Sequence, residues 1–196
     1  GIVKFNEKVK KVNITKEKVE IQTNKNKSYS VSVLILATGS RGFDIQKSLG
    51  FDTPDSYLGI YTHLYGSETQ IDNNFDFDYM FHINPNISKN GPFFFNVGKE
   101  RVLTGYLGNS GESESEIVDK LDRILKNYQY IQSNVKNLKW DRSNFVTGKI
   151  SKHHIGRFCD DRVLILGEAA GLVTAFFYEG LLSGLVSADA AVRTLK

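Results

Sequence analysis

Apolar and polar residues change their rhythm along the chain, and each rhythm predicts a different element. Val9, Val12, Ile14, Val19 and Ile21 stand among Lys, Glu, Asn and Thr, with a polar break over residues 24–27. That pattern predicts a small antiparallel meander. Residues 31–37 are apolar without alternation and halt at Thr38-Gly39, which predicts a strand covered on both faces. A short helix over residues 44–49, stopped by Gly50, is predicted to follow.

The middle of the chain is different. Phe75, Phe77, Tyr79, Phe81 and Ile83 alternate with Asp76, Asp78, Met80 and His82, and this period of two predicts a strand with one aromatic face. The segments FFFNV and VLTGYLG flank residues 98–101 as a hairpin, and YLGIYTHLY over residues 57–65 reads as a further strand of the same sheet. Ser113 and Glu116 form a capping box ahead of Ile117, Leu121, Ile124, Leu125, Tyr128 and Ile131 at helical spacing. Residues 140–155 carry no clear period. The chain closes on a second buried strand, RVLILGEAAG, and an apolar helix over residues 179–195.

Composition narrows the function classes. A chain of 196 residues, 40% of them hydrophobic, can bury a core as one domain or two small interlocked ones. The net charge of +3 is spread along the chain, so nucleic acid is not an implied partner. One cysteine, Cys159, excludes an internal disulfide and a CxxC pair, which suits a reducing cytoplasm; it is expected to be inert and partly buried. The start of the chain lacks the pattern of a secretory signal. The greasy stretch over residues 163–192 is broken by Glu168, Glu179 and Asp189 and falls short of the roughly 20 apolar residues of a membrane span. Peripheral membrane contact stays open.

Two segments, VLILATGSRGFDIQKSLG and RVLILGEAAGLVTAFFYEGLLSGLVSADAAV, carry a resemblance. They are similar to the second and third signatures of the FAD-binding fold of the geranylgeranyl reductase and p-hydroxybenzoate hydroxylase group. The resemblance implies an α/β fold: a partial FAD-binding domain from residues 1–50 and 156–196, with buried strands and a long C-terminal helix. Into it is inserted a substrate domain over residues 51–155, an antiparallel sheet covered by a helix. It further implies a cofactor site at Gly39, Gly167, Glu168, Ala169, Ala170, Gly171, Glu179 and Gly180. Gly167 lets backbone approach a ligand, Ala169 and Ala170 keep a wall small, and Gly171 permits a sharp turn. The Glu168 carboxylate can accept hydrogen bonds from ribityl hydroxyls. A helix starting near Glu179 and Gly180 would aim free N–H groups at the flavin ring.

The chain departs from that group in three ways. No GxGxxG occurs, so the ADP half of FAD lacks its phosphate-cradling turn, and the chain reads as a C-terminal portion whose partner is a missing N-terminal segment of the same protein. The group's aspartate is Glu168. The loop TAFFYEG has Ala175 where proline is usual and Tyr178 where glycine is common, and Phe176, Phe177 and Tyr178 add bulk near the flavin position. Two functions follow. The first is a fragment of an FAD-dependent reductase or dehydrogenase acting by hydride transfer on a small apolar substrate, isoprenoid or aromatic, with hydroxylation as a variant; FAD would bind this chain alone weakly or not at all, and the chain alone would be inactive. The second is a non-catalytic binding or structural module that has lost FAD. No catalytic acid or base stands out. His153 and His154 are adjacent and would point to opposite faces of a strand, and His63 and His82 are single histidines expected in packed or solvated positions. No metal site is expected.

Overall fold

A computed structural model describes residues 1–174 and 178–195. Of the residues expected to add bulk, Phe176 and Phe177 therefore lie outside the described residues, as does the Ala175 replacement, whereas Tyr178 is described, at φ 51°. The chain divides into two compact units, Gly1–Ser56 with Ser151–Lys196, and Tyr57–Ile150.

The first unit opens with the meander β1 (Val9–Ile14), β2 (Val19–Thr23) and β3 (Ser28–Val31), paired antiparallel in that order. Asn26 takes the left-handed conformation (φ 57°) that the β2–β3 turn requires, and asparagine tolerates it. β4 (Leu34–Leu36) follows, then α1 (Phe43–Ser48), which stops before Gly50 at φ 76°. The predicted strand over residues 31–37 is thus broken. Val31 ends β3, and the Ser32 carbonyl accepts a hydrogen bond from the Arg162 guanidinium (3.1 Å), which also holds the Lys16 carbonyl. β4 is buried at Leu34 and Leu36 but not at Ile35, so it is not covered on both faces.

The second unit is a five-stranded sheet in the order β6-β7-β8-β5-β9, comprising β5 (Ser56–Tyr65), β6 (Tyr79–His82), β7 (Phe93–Val97), β8 (Arg101–Leu107) and β9 (Val146–Ser151). β6 through β8 and on to β5 pair antiparallel. Three helices belong to this unit: α2 (Glu68–Asn74), α3 (Glu114–Asn127) and α4 (Gln132–Val135). The Ser113–Glu116 capping box is formed as predicted, and Ile117, Leu121, Ile124 and Leu125 of α3 join Phe75, Phe93 and Phe95 in the core. α3 ends at Asn127, and Ile131 is buried from a separate 3-10 turn.

The alternating aromatic stretch is not one strand. A second capping box, Ser67 with Gln70, starts α2, and Phe75 caps the end of that helix, leaving only Tyr79–His82 to pair. Register then separates the aromatics. Met80, Phe95, Thr104 and Thr62 lie opposite one another on the core face, whereas Phe81, Phe94, Gly105 and Tyr61 lie on the other face. Phe93 and Phe95 therefore do not share a face with Tyr79 and Phe81, because successive strand residues point to opposite sides. His82 packs into an aromatic cluster, with Nε2 3.0 Å from the Tyr128 hydroxyl. His63 lies between the rings of Tyr61 and Tyr65. Residues 140–155, without a clear period, supply β9.

The first unit is completed by β10 (Cys159–Asp160), β11 (Val163–Ile165) and α5 (Leu181–Thr194). β10 pairs antiparallel with β11, and β11 pairs parallel with β4. Cys159 is exposed rather than partly buried, because it sits on a two-residue strand at the sheet edge. Among the described residues no helix is long and apolar enough to cross a membrane, and no His, Cys, Asp and Glu cluster could hold a metal ion.

Leu121 is fully buried, so Leu121→Ala should cost about 3 kcal/mol of stability, against about 1 kcal/mol for Ser113→Ala at the capping box; urea denaturation of both variants checks the ratio. Two carboxylates of this unit give it an acid limb. Burial alone would raise Glu112, but the Lys120 ammonium at 2.8 Å and the Asn109 amide outweigh it, and its pKa is lowered. Asp122 is lowered against its burial by Lys126 at 2.7 Å and the Trp140 indole. The unfolded chain binds these protons more readily. Their stabilisation is thus present above the ordinary carboxylate range of about pH 4 and is lost as pH falls through the depressed folded values. Midpoints measured down a pH series should fall along that limb, and less steeply in Lys120→Met.

Candidate functional site

β4 and β11 run parallel with Leu36 beside Ile165, and the Leu166 amide donates to the Leu36 carbonyl at 2.9 Å. Their carboxyl ends therefore lie side by side, the end of a parallel pair at which α/β folds bind ligands. Each strand runs into a tight turn. Gly39 (φ 61°) opens the 3-10 turn Gly39–Arg41 after β4, and Gly167 (φ 57°) opens Gly167–Ala170 after β11. Both need the left-handed conformation that glycine adopts without a Cβ penalty.

The second turn is pinned from two sides. The Ser151 amide donates to Glu168 Oε1 (3.3 Å), and its hydroxyl donates to the Glu168 carbonyl (3.2 Å). The turn ends on Gly171 at φ 73°, where a Cβ would lie 2.1 Å from the His153 carbonyl oxygen. From the other side, α5 brings Ser187, whose hydroxyl accepts from the Gly167 amide (3.1 Å), and Gly184, whose Cα would lie 3.6 Å from a Cβ on Gly167. Gly184 thus lets α5 pack closely on this turn.

Glu168 is half-buried, and its Oε2 lies 4.0 Å from the position a Cβ on Gly39 would take. A Cβ at residue 39 would thus lie at the limit of van der Waals contact with the carboxylate. Ala169 and Ala170 are fully buried with Val163 and Ile165 in the core, so they back the turn rather than face its surface.

The start of α5 departs from expectation. Gly180 precedes the helix, and the Leu181 and Leu182 amides donate to the carboxylate of Glu179, the Leu182 bond at 3.1 Å. The first N–H groups are therefore engaged by the chain's own carboxylate instead of being aimed free at a ligand, since an anion two residues before a helix is stabilised by its partial positive charge. Thr174 and Glu179 close the preceding loop through two bonds, Thr174 N–H to the Glu179 carbonyl (2.9 Å) and Glu179 N–H to the Thr174 hydroxyl (3.1 Å). The structure thus brings Gly39, Gly167, Glu168 and Gly171 together. Ser151 and Ser187 join them without any sequence signal, because both act across long separations. His154 turns Nδ1 to the Ile155 carbonyl at 2.9 Å, and the His153 backbone lies against Gly171.

No protein-family model matches the chain, and no curated protein matches it. Solved structures do. A geranylgeranyl bacteriochlorophyll reductase-like protein from Thermoplasma acidophilum aligns over 98% of this chain and 46% of its own, at 19% identity and a TM-score of 0.70. The p-nitrophenol 4-monooxygenase of Pseudomonas putida aligns over 97% of this chain and 48% of its own, at 14% identity and 0.71. HpxO of Klebsiella pneumoniae, complexed with FAD, aligns over 96% and 53%, at 19% identity and 0.61. The chain therefore has the α/β fold of these proteins and spans about half their length.

The two glycine positions should respond differently to alanine. Gly171→Ala meets backbone at 2.1 Å as well as a left-handed φ and should cost more than about 2 kcal/mol, whereas Gly39→Ala meets only the φ penalty of about 1 kcal/mol. Thermal unfolding of the two variants measures the order.

Proposed function

We propose that this chain is the C-terminal part of an FAD-dependent oxidoreductase that acts on a small apolar substrate, isoprenoid or aromatic. The observation that carries the reading is the Glu168 carboxylate beside Gly39, at the carboxyl ends of a parallel strand pair. Likeness of fold to a protein complexed with FAD supports it. When bound, FAD supplies two-electron chemistry by giving or taking a hydride.

The residues of this chain have narrower tasks. Glu168, oriented by Ser151, accepts hydrogen bonds from hydroxyls of the ribityl chain. Gly39 and Gly167 admit the ligand close to backbone, and Gly171 seats the turn against residue 153. Glu179 and Gly180 set the start of α5. These residues fit the hydroxyl-bearing half of the cofactor. The phosphates need a glycine-rich turn that these 196 residues do not contain, and we assign it to a segment N-terminal to them in the same protein. In the second unit, Tyr61, Phe81 and Phe94 on the sheet face away from the core suit an apolar substrate. We assign the protein to a reducing cytoplasm, which matches its lone exposed thiol.

A second reading, a non-catalytic module that has lost FAD, is favoured by one observation: Glu179 occupies the first amides of α5. Visible absorption separates the two. The complete polypeptide, purified with FAD and desalted, should retain flavin bands that the 196-residue chain loses. Glu168→Ala should weaken FAD retention about tenfold, the worth of one charge-assisted hydrogen bond. A colourless complete polypeptide would sink the oxidoreductase reading in favour of the binding module.

A further inference from the structure

The sheet of the second unit ends in a groove of about 1070 Å³. Its lining residues all belong to that unit, whereas Gly39, Gly167 and Glu168 belong to the other. Strand pairing builds its polar side. Tyr65, the last residue of β5, lies opposite Arg101 of β8 on one side and bridges to Lys139 on the other, where the two residues exchange amide-to-carbonyl bonds of 2.8 and 2.9 Å. Cross-strand neighbours of this kind point their side chains to one face. That face is the outer one, because the adjoining Leu64, Val102 and Leu138 are buried while Tyr65 is 48% exposed.

An aromatic ring thus stands between two cations. Among the described residues, neither the Arg101 guanidinium nor the Lys139 ammonium forms an ion pair or a hydrogen bond. The other charges lining the groove are disposed differently: Lys99 is paired with Glu68 at 3.5 Å, and Glu100 pairs with neither free cation. Two unpaired like charges flanking one ring repel each other, and a bound anion relieves that repulsion.

We propose that this groove binds a phosphate ester carrying a planar ring, of which a nucleoside monophosphate is the simplest, with the ring stacked on Tyr65 and the phosphate held by Arg101 and Lys139. A guanidinium fork matches a pair of phosphate oxygens, and an ammonium adds a point charge. Every nucleobase has a face that stacks on an aromatic ring, so the groove reads the plane and the phosphate rather than the base edges. A concave site of this volume suits a small molecule, and a flat bilayer surface would leave it empty.

Isothermal titration of the complete polypeptide with guanosine monophosphate, in the presence of saturating FAD, tests the assignment. Tyr65→Leu and Arg101→Gln should each weaken binding about tenfold. Glu100→Gln should tighten it about threefold by removing a like charge, an effect that a merely structural role would not produce. Inorganic phosphate, which lacks the ring, should bind about tenfold more weakly than the nucleotide. All three side chains are exposed, so thermal midpoints should stay close to that of the parent. The proposal is overturned by an absence of binding at millimolar nucleotide, by binding that Tyr65→Leu and Arg101→Gln leave unchanged, or by phosphate binding as tightly as the nucleotide. Because the substituted residues lie outside the cofactor turns, the differences between variants hold whether or not the polypeptide retains FAD.

Discussion

The parallel pairing of β4 with β11 is the contact on which the candidate site depends. It joins residues 34–36 to residues 163–165, with the whole of the second unit lying between them in sequence. Closing so long a loop costs only a few kcal/mol more than closing a short one, since the entropy grows with the logarithm of length. The return is specific: two strands halt side by side, each runs into a left-handed glycine, and Glu168 comes to face Gly39. Without that register the two turns would not meet.

The site is built mainly from backbone. Gly171 meets the His153 carbonyl where no side chain fits, Ser151 fixes Glu168 through both its amide and its hydroxyl, and Ser187 satisfies the Gly167 amide. Backbone groups held in this way lose little further freedom when a ligand arrives, which is the usual advantage of a preorganised site. The start of α5 shows a different balance. Glu179 stabilises the helix by accepting its first amides, at the expense of their use by a ligand.

The second unit shows how packing overrides pattern. Phe75, Phe77, Tyr79 and Phe81 alternate as a strand would, yet the Ser67–Gln70 capping box starts a helix just before them and Phe75 goes into the core at its end. The side-chain cap satisfies amides that a strand would have to pair with another strand. Pairing across the sheet then decides the faces, so that Phe95 is core while Phe94 and Phe81 are not.

Sequence alone determined the local features: the meander, the hairpin over residues 93–107, the capping box of α3 and the glycine stops after β4 and α1. Each depends on residues a few positions apart, so the signal and the structure occupy the same window. The α2 capping box and the Glu179 cap were equally local and could have been read in the same way. Only tertiary structure decided that residues 31–37 split between two sheets, that the aromatics divide between two faces, and that Ser151 and Ser187 complete the turn of Glu168. Those outcomes rest on strand register and on contacts between distant residues, to which no local period or propensity responds. The likeness of the glycine-bearing segments to a flavin fold was legible because backbone geometry at Gly39, Gly167 and Gly171 restricts which residue can stand there. The partners that surround those glycines were not, since a side chain that arrives from elsewhere in the fold leaves no mark on the residues it meets.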